Sequence, residues 1–539
     1  MKKIHLVGLS VLTGLLLSAA WPARGFVPLI FVAFVPLFFV QQAIGDNPVK
    51  KGRSSMFWLA FLGFFIWNSL TTWWIWNSTA VGAIAALGLN SLFMATVFWL
   101  FHITRIKLYD NRKGWMILVF YWMAWEFFHL GWDLSWPWLN LGNVFASTHT
   151  WIQWYEFTGV PGGTLWILIS NIMVFHIIRL LNEWRVNTKR IGMMVSALIL
   201  IWFVPVIASK MIYNRVVEVG EIAEIIVVQP NFDPYSEQYE LPPSEIIARN
   251  LELAMSVNQR KADFIVSPES AIQENIWNDK QEESPSIQQL KGFINQFPDL
   301  AVIIGASTFS MVPAGMEEHH AARKFSGYDA YYFAYNTALY IDSSAGIQSY
   351  NKSKLTPGVE MMPSWSILKP LKKYAIDLGG TIGTLKVDDE RRVFNHQSGK
   401  YNIAPIICYE SVYGEFVTRF VKNGANLIFV ITNDGWWGNT PGHRQHFLFS
   451  VLRAIETRRS VARSANTGIS AFIDQRGDVY QATPYWEPAV IRQSLTTNEK
   501  ITFYVAYGDY LSRIAIFASA IFFLYGFVRA WLMRGKSTA

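Results

Sequence analysis

Hydrophobic residues are spread very unevenly along this chain of 539 residues. Runs of apolar residues long enough to cross a bilayer as helices occupy about 4–20, 26–42, 56–73, 80–102, 115–130, 163–180, 191–209 and 511–532. The pattern predicts eight transmembrane helices. Between the seventh and the eighth the rhythm changes. Short Val- and Ile-rich runs ending in polar or Gly residues fall at 224–229, 263–267, 301–306, 403–408 and 426–432, and they read as strands buried on both faces. A further strand-like run covers 336–342, and helix-period stretches lie at 243–258, 285–297, 413–424 and 443–460. In the third of these, Phe416, Phe420 and Val421 keep the 3.6-residue spacing of a buried helix face. The expected layout is a seven-helix membrane domain over 1–209, an α/β domain with helices layered on sheet over 210–510, and a last helix with its tail over 511–539.

Charge orients this layout. Residues 1–209 carry 14 Lys/Arg against 6 Asp/Glu, whereas 210–539 carry 32 against 33. The excess positive charge therefore sits in the apolar part, which excludes a nucleic-acid binder with a basic soluble face. With the N-terminus inside, the inner segments hold Lys2 and Lys3, then Lys50, Lys51 and Arg53, then Arg105, Lys107, Arg112 and Lys113, then Arg185, Lys189 and Arg190, and finally Arg534 and Lys536. The short outer loops hold only Arg24. Lys and Arg accumulate on the cytoplasmic side, so both termini are expected inside and 210–510 outside. The first run, with Ser18-Ala19-Ala20 at its end, also has the outline of a signal peptide, but further spans follow at once and retention is expected. Of 24 Trp, 18 precede residue 210, in keeping with the preference of indoles for the membrane interface. Cys408 is the one cysteine, so no internal disulfide and no Cys-rich metal site is expected.

In α/β sheets functional groups gather beyond the carboxyl ends of strands. Three such places carry chemistry: Ser267-Pro268-Glu269-Ser270, Tyr350-Asn351-Lys352-Ser353-Lys354, and Cys408-Tyr409-Glu410-Ser411. A lone cysteine is most often a small buried hydrophobe. A Cys with a carboxylate to take its proton and an ammonium to face a developing oxyanion is a set for acyl transfer through a thioester.

The order Glu, Lys, Cys, with Pro-Glu at the first strand end, Tyr-Asn-Lys at the second and Cys-Tyr-Glu-Ser at the third, resembles the nitrilase superfamily. Such a domain set between the seventh and eighth membrane helices resembles that superfamily's membrane-embedded branch, the apolipoprotein N-acyltransferases. Val228-Gln229-Pro230-Asn231, Asn433-Asp434-Gly435-Trp436-Trp437-Gly438, Gln445-His446, Arg463-Ser464-Ala465-Asn466-Thr467-Gly468, Tyr507-Gly508-Asp509, Trp125-Glu126 and Pro137-Trp138-Leu139 extend the likeness over nearly the whole chain. The resemblance implies an α-β-β-α sandwich for the outer domain. It also implies Glu269 as general base, Cys408 as nucleophile and Lys352 as oxyanion stabiliser. Glu360 would orient the lysine, Tyr409 would supply a backbone N–H and Glu410 would fix the nucleophile's turn. The stretch Pro357-Gly358-Val359-Glu360 departs from the family's usual aromatic and Gly before the Glu, and Lys354 competes with Lys352. The implied reaction is the last step of bacterial lipoprotein maturation. An acyl chain passes from a phospholipid resembling phosphatidylethanolamine, through a thioester on Cys408, to the α-amine of an S-diacylglyceryl-cysteine. No cofactor, metal or nucleic acid is implied. A monomer in the bacterial inner membrane, its catalytic domain periplasmic, is expected.

Other features have two readings each. Residues 361–375, with Met361, Met362 and Trp365 beside Lys369, Lys372 and Lys373, read as an arm in the membrane interface or as a loop packed on its own domain. Trp436 and Trp437 read as walls of an acyl channel or as core. His443 and His446 lack a third ligand for a metal and read as helix packing. Glu126 and His129, at i and i+3, share a helix face and are expensive in lipid unless paired. Two rival functions share the layout: an amidohydrolase anchored by its helices, and a transporter or scaffold indifferent to loss of Cys408.

Overall fold

A computed structural model describes residues 1–46, 52–181, 184–257, 262–344, 346–361 and 384–536. The chain divides into two compact units, one of Met1–Trp76, Ala80–Arg215 and Tyr507–Ala539, the other of Asn77–Thr79 and Val216–Ala506.

The first unit is helical. Among the described residues seven segments are long and apolar enough to cross a membrane: Lys3–Ala20, Val27–Gly45, Ser54–Thr72, Ala80–Tyr109, Tyr155–Leu181, Thr188–Arg215 and Tyr510–Arg529. The eighth expected span, 115–130, is a helix of only 13 residues, Met116–Phe128. At 1.5 Å per residue it reaches about 20 Å, short of a hydrocarbon core of about 30 Å. The run is apolar enough, but the helix stops after Phe128 and the chain enters short 3-10 turns from Pro137 to Trp151. The expected span 163–180 begins earlier, at Tyr155, and crosses a kink at Gly159, whose φ of 60° suits a residue without a Cβ, next to Pro161.

Val27–Gly45 is a broken helix. Pro28 and Pro36 split it into a 3-10 turn, Val27–Phe31, and an α-helix, Val35–Gly45, because each ring removes an N–H and crowds the preceding turn. The break separates the Phe34 N–H from the Ile30 carbonyl, which an unbroken helix would join. Asn171 of Tyr155–Leu181 satisfies both: its Oδ1 accepts from Phe34 N at 2.8 Å and its Nδ2 donates to Ile30 O at 2.8 Å. Glu126 and His129 do not pair with each other. Glu126 accepts from Trp122 Nε1 (3.1 Å), Leu141 N (2.7 Å) and Thr164 Oγ1 (2.7 Å), tying its helix to the next. His129 faces Trp132 Nε1 at 2.8 Å and the Trp136 amide at 3.1 Å.

The second unit contains two sheets. Strands β1 (Ile222–Gln229), β2 (Phe264–Val266), β3 (Ile272–Trp277), β4 (Ala301–Met311), β5 (Arg323–Lys324), β6 (Tyr331–Ile341) and β7 (Gln348–Asn351) join one sheet with the late strand β14 (Ala489–Thr496). The other sheet runs β13-β12-β11-β10-β9-β8, from Val479–Tyr480, Ala471–Ile473, Val461–Ala465, Leu427–Thr432 and Asn402–Ile407 to Phe394–Asn395. Its central trio β9-β10-β11 is parallel and β10 is buried throughout, as an apolar run covered on both faces requires. The sheets pack face to face: the Phe264 ring lies 5.2 Å from that of Phe429, and Ser464 Oγ donates to Val228 O at 2.7 Å. Helices Pro243–Met255 and Pro285–Ile294 bury Ile247, Leu290 and Ile294 on the first sheet. Helices Gly414–Lys422 and Pro441–Thr457 are amphipathic or wholly buried beside the second. The result is the α-β-β-α sandwich.

Asn171→Leu should leave two backbone groups unpaired in an apolar setting, each costing about 1–3 kcal/mol. Thermal unfolding in detergent is expected at a clearly lower midpoint than wild type, and an unchanged midpoint would show that the broken helix does not need this amide.

Candidate functional site

The ends of β2, β7 and β9 supply the groups singled out in the sequence. Glu269 follows β2, Lys352 follows β7 and Cys408 follows β9. The Lys352 ammonium donates to Glu269 Oε1 and to Glu360 Oε1, both at 2.9 Å, and all three side chains are buried or nearly so. Asn336, on β6, donates from one Nδ2 to the same two oxygens, at 2.8 Å and 3.0 Å. The outer oxygens are held by backbone: Glu269 Oε2 accepts from Asn433 N (3.1 Å) and Glu360 Oε2 from Thr356 N (2.9 Å).

Close approach of strand β4 makes this placement possible. A Cβ on Gly305 would lie 2.5 Å from Ser270 N and 2.6 Å from Glu269 Cα, so only Gly lets β4 pass the carboxylate's backbone. Ser270 itself takes a φ of 54°, the sharp turn that follows the Pro268-Glu269 pair.

Electrostatics set the resting protonation states. Burial alone would lower the Lys352 ammonium, but Glu269 and Glu360 outweigh it and hold it well above the usual lysine value. Burial alone would raise the Glu360 carboxyl, but Lys352, with hydrogen bonds from Thr356 and Asn336, holds it below the usual carboxylate range. The Cys408 thiol goes the other way: burial, then the Glu269 charge, push it up, and the nearby Lys352 charge only partly offsets them. The resting sulfur is therefore a thiol with a charged carboxylate and an ammonium acting on it. The residue is not sealed off, since Cys408 keeps partial exposure.

The Cys408 backbone is strained. Cys408 has a φ of 49°, a left-handed conformation that costs a residue with a Cβ about 1–2 kcal/mol. Glu410 clamps one side: Oε2 accepts from Ile407 N (2.9 Å), and Oε1 accepts from Ser353 N (2.7 Å) and Tyr350 OH (2.6 Å). Burial raises this carboxyl to about 7 despite those donors. On the far side Arg453 donates to Ser411 O (3.1 Å) and Val412 O (2.8 Å). Lys354 does not join the cluster; its ammonium lies over the Tyr413 ring, 4.8 Å from the centroid.

The remaining candidates scatter. Tyr409 follows Cys408 and is buried. Trp436 is half-buried against Tyr235, ring centroids 5.1 Å apart, and Trp437 meets His446 edge-on at 5.5 Å. Met361 packs beside Ala334, Leu355 and Leu385, while Met362 and Trp365 lie outside the described residues. His443 stacks on Tyr485 at 3.9 Å, so it packs as expected. The donor atoms of Cys408, Asp434 and His446 lie within 4.8 Å of one another. Both Asp434 oxygens are nonetheless committed, one to His446 and one to Arg463, which suits an ion-pair network better than a metal seat. Asn336 escaped the sequence reading: it is a polar residue in the middle of β6, with no motif around it.

Residues 13–173 match the family described as the apolipoprotein N-acyltransferase N-terminal domain, and residues 224–499 match the carbon-nitrogen hydrolase family. A relative from Chlorobaculum tepidum named apolipoprotein N-acyltransferase is 28% identical over 539 residues, covering 97% of this chain and 96% of its own. Another of that name from Geobacter metallireducens is 26% identical, covering 95% and 94%. Among solved structures, Saccharomyces cerevisiae Nit3, a member of branch 10 of the nitrilase superfamily, aligns at 15% identity with a TM-score of 0.37, over 51% of this chain and 90% of its own. An amidase from Nesterenkonia sp. aligns at 16% identity with a TM-score of 0.35, over 53% and 95%.

Two outcomes test this geometry. Gly305→Ala should overpack the Glu269 turn by about 1–3 kcal/mol, lowering the thermal midpoint; an unchanged midpoint would show that the strand has room to spare. A carboxyl depressed on folding stabilises above its unfolded value, about 4.5 for Glu360, and that stability is lost as pH falls through the folded value. Melting temperatures of Glu360→Gln should accordingly fall less steeply below pH 4.5 than those of wild type, whereas parallel acid limbs would contradict the pairing with Lys352.

Proposed function

The chain belongs to the carbon-nitrogen hydrolase family, in its apolipoprotein N-acyltransferase branch, and from that premise we propose how its own residues move an acyl group onto a lipoprotein. Cys408 is the nucleophile and Glu269 the general base. Glu269 takes the thiol proton as sulfur attacks the ester carbonyl of a phospholipid, of the phosphatidylethanolamine kind. The oxyanion so formed meets the Lys352 ammonium and the Tyr409 backbone N–H. When the intermediate collapses, the ester C–O bond breaks and Glu269 returns its proton to the leaving lysophospholipid oxygen. A thioester remains on Cys408. In the second half the α-amine of an S-diacylglyceryl-cysteine attacks that thioester, Glu269 accepts the amine's proton, and the C–S bond breaks. The proton then restores the thiol and the product is an amide.

Glu360 orients Lys352, and Glu410 fixes the turn that aims the sulfur. The observation that carries this reading is the buried clasp of Lys352 between Glu269 and Glu360, both bonds 2.9 Å, acting on a thiol that burial keeps protonated. A thiol in that state needs a base at hand, and Glu269 is a carboxylate whose charge already acts on it. A fatty chain costs about 0.8 kcal/mol per CH₂ to bring into water, which supports a lipid donor for an enzyme with so many apolar helices. The proposed setting is the bacterial inner membrane, with both termini cytoplasmic, the catalytic domain 210–510 periplasmic, and the chain acting as a monomer.

Intact mass of the purified protein after incubation with phosphatidylethanolamine should rise by one acyl group, removable by hydroxylamine. The adduct should be absent in Cys408→Ala and reduced at least about 100-fold in rate in Glu269→Gln, the range expected for loss of a general base. A diacylated peptide should then discharge it as N-acyl peptide. Release as free fatty acid at the same rate with or without peptide would mean hydrolysis and sink the transfer reading.

A further inference from the structure

Behind the nucleophile lies a second, fully buried polar chain that the proposed reaction does not use. His446, on Pro441–Thr457, places Nε2 3.1 Å from the carbonyl oxygen of Cys408 and 3.1 Å from Ser411 Oγ. Ser411 Oγ in turn donates to that same Cys408 carbonyl at 2.8 Å. The other ring nitrogen, Nδ1, lies 2.8 Å from Asp434 Oδ1, which also accepts from Thr432 Oγ1 at 2.9 Å. Asp434 Oδ2 accepts from Arg463 Nη2 at 2.7 Å. Arg463 is fixed further by Ile469 O (3.2 Å) and Ser450 Oγ (3.2 Å). Side chains of His446, Asp434 and Arg463 are all inaccessible to solvent.

The chain therefore runs from the middle of β11 (Arg463), through the loop after β10 (Asp434), to the long helix (His446), and stops on the carbonyl of the residue with the unfavourable φ. Glu410 grips the Ile407 amide, one peptide unit ahead of the plane that enters Cys408, and does not hold the carbonyl after the sulfur-bearing carbon. His446 and Ser411 do. Because the Cα–Cβ direction follows from the peptide planes that flank it, fixing the plane of the Cys408 carbonyl restricts where the sulfur can point. Trp437 meets the His446 ring edge-on and limits its tilt.

We propose that His446, anchored by Asp434 and Arg463, is a positioning residue that locks the Cys408 carbonyl and so aims the sulfur at the acyl donor. The inference rests on the reading of Cys408 as the nucleophile, and concerns how it is held. An aim lost by a fraction of an ångström reduces turnover without changing affinity for a donor bound elsewhere.

The test uses the full-length protein in detergent, with three readouts: kcat and KM for phosphatidylethanolamine, the rate of Cys408 alkylation by iodoacetamide, and the melting temperature. His446→Leu should lower kcat about 10- to 100-fold with KM within twofold, and slow alkylation in step. His446→Gln, whose amide can reach the Cys408 carbonyl, should melt like wild type and recover most of the alkylation rate. The proposal is overturned if His446→Leu alkylates at the wild-type rate, if KM alone rises, or if His446→Gln melts like wild type yet is as slow as His446→Leu. Alkylation needs no acyl transfer, so a wild-type protein that forms no acyl-enzyme would defeat the functional reading and leave the positioning result standing.

Discussion

One ammonium holds the site together. Lys352 is buried with two carboxylates on it, and neither partner sits near it in sequence by accident of a helix or hairpin: Glu269 comes from the end of β2 and Glu360 from the loop eight residues on. A lone lysine in such a place would shed its proton, and a lone carboxylate would take one up. Here the two acids hold the Lys352 ammonium, and Lys352 holds the Glu360 carboxylate. Removing Lys352 would leave buried acid without its counterpart, the costly case for an ion pair out of water. Asn336 adds a neutral tie between the two acids, so their separation is set from two directions.

A site of this precision also needs backbone brought closer than ordinary sheet packing allows. Gly305 permits this beneath Glu269, and after β9 Cys408 takes a left-handed φ. Strain of that kind persists only where surrounding bonds over-determine it. Here Glu410 does so from the turn itself, and Arg453 and His446 from the helix Pro441–Thr457.

Much of this was legible in the chain itself. The parallel strands announce themselves as runs of Val and Ile, and the candidate residues stand where strands end. Glu269, Lys352 and Cys408 could be named for that reason. Asn336 could not, because its use depends on the antiparallel neighbour β4 and the register of β6, which no local pattern encodes. His446 and Asp434 were visible as residues, but their partner Arg463 lies 29 positions from Asp434 and meets it only through the pairing of β10 with β11. In the membrane part hydropathy measures how greasy a run is, and not where its helix ends. That is why 115–130 looked like a full span although the helix stops at Phe128. Pro28 and Pro36 are plain in the sequence, but no local pattern encodes that Asn171 meets the backbone groups loosened in that segment.

That last arrangement bears on how the protein is made. Helices that satisfy all their own peptide groups can enter a bilayer one at a time and find each other later. The interrupted segment around Pro36 is not of that sort, since a peptide group unmatched in hydrocarbon costs several kcal/mol. Its missing partner is synthesised well over a hundred residues later. Until Tyr155–Leu181 emerges from the ribosome and is threaded, the early segment has to wait in a wetter or otherwise sheltered place, and lateral release of the first helices into lipid becomes tied to the arrival of a late one.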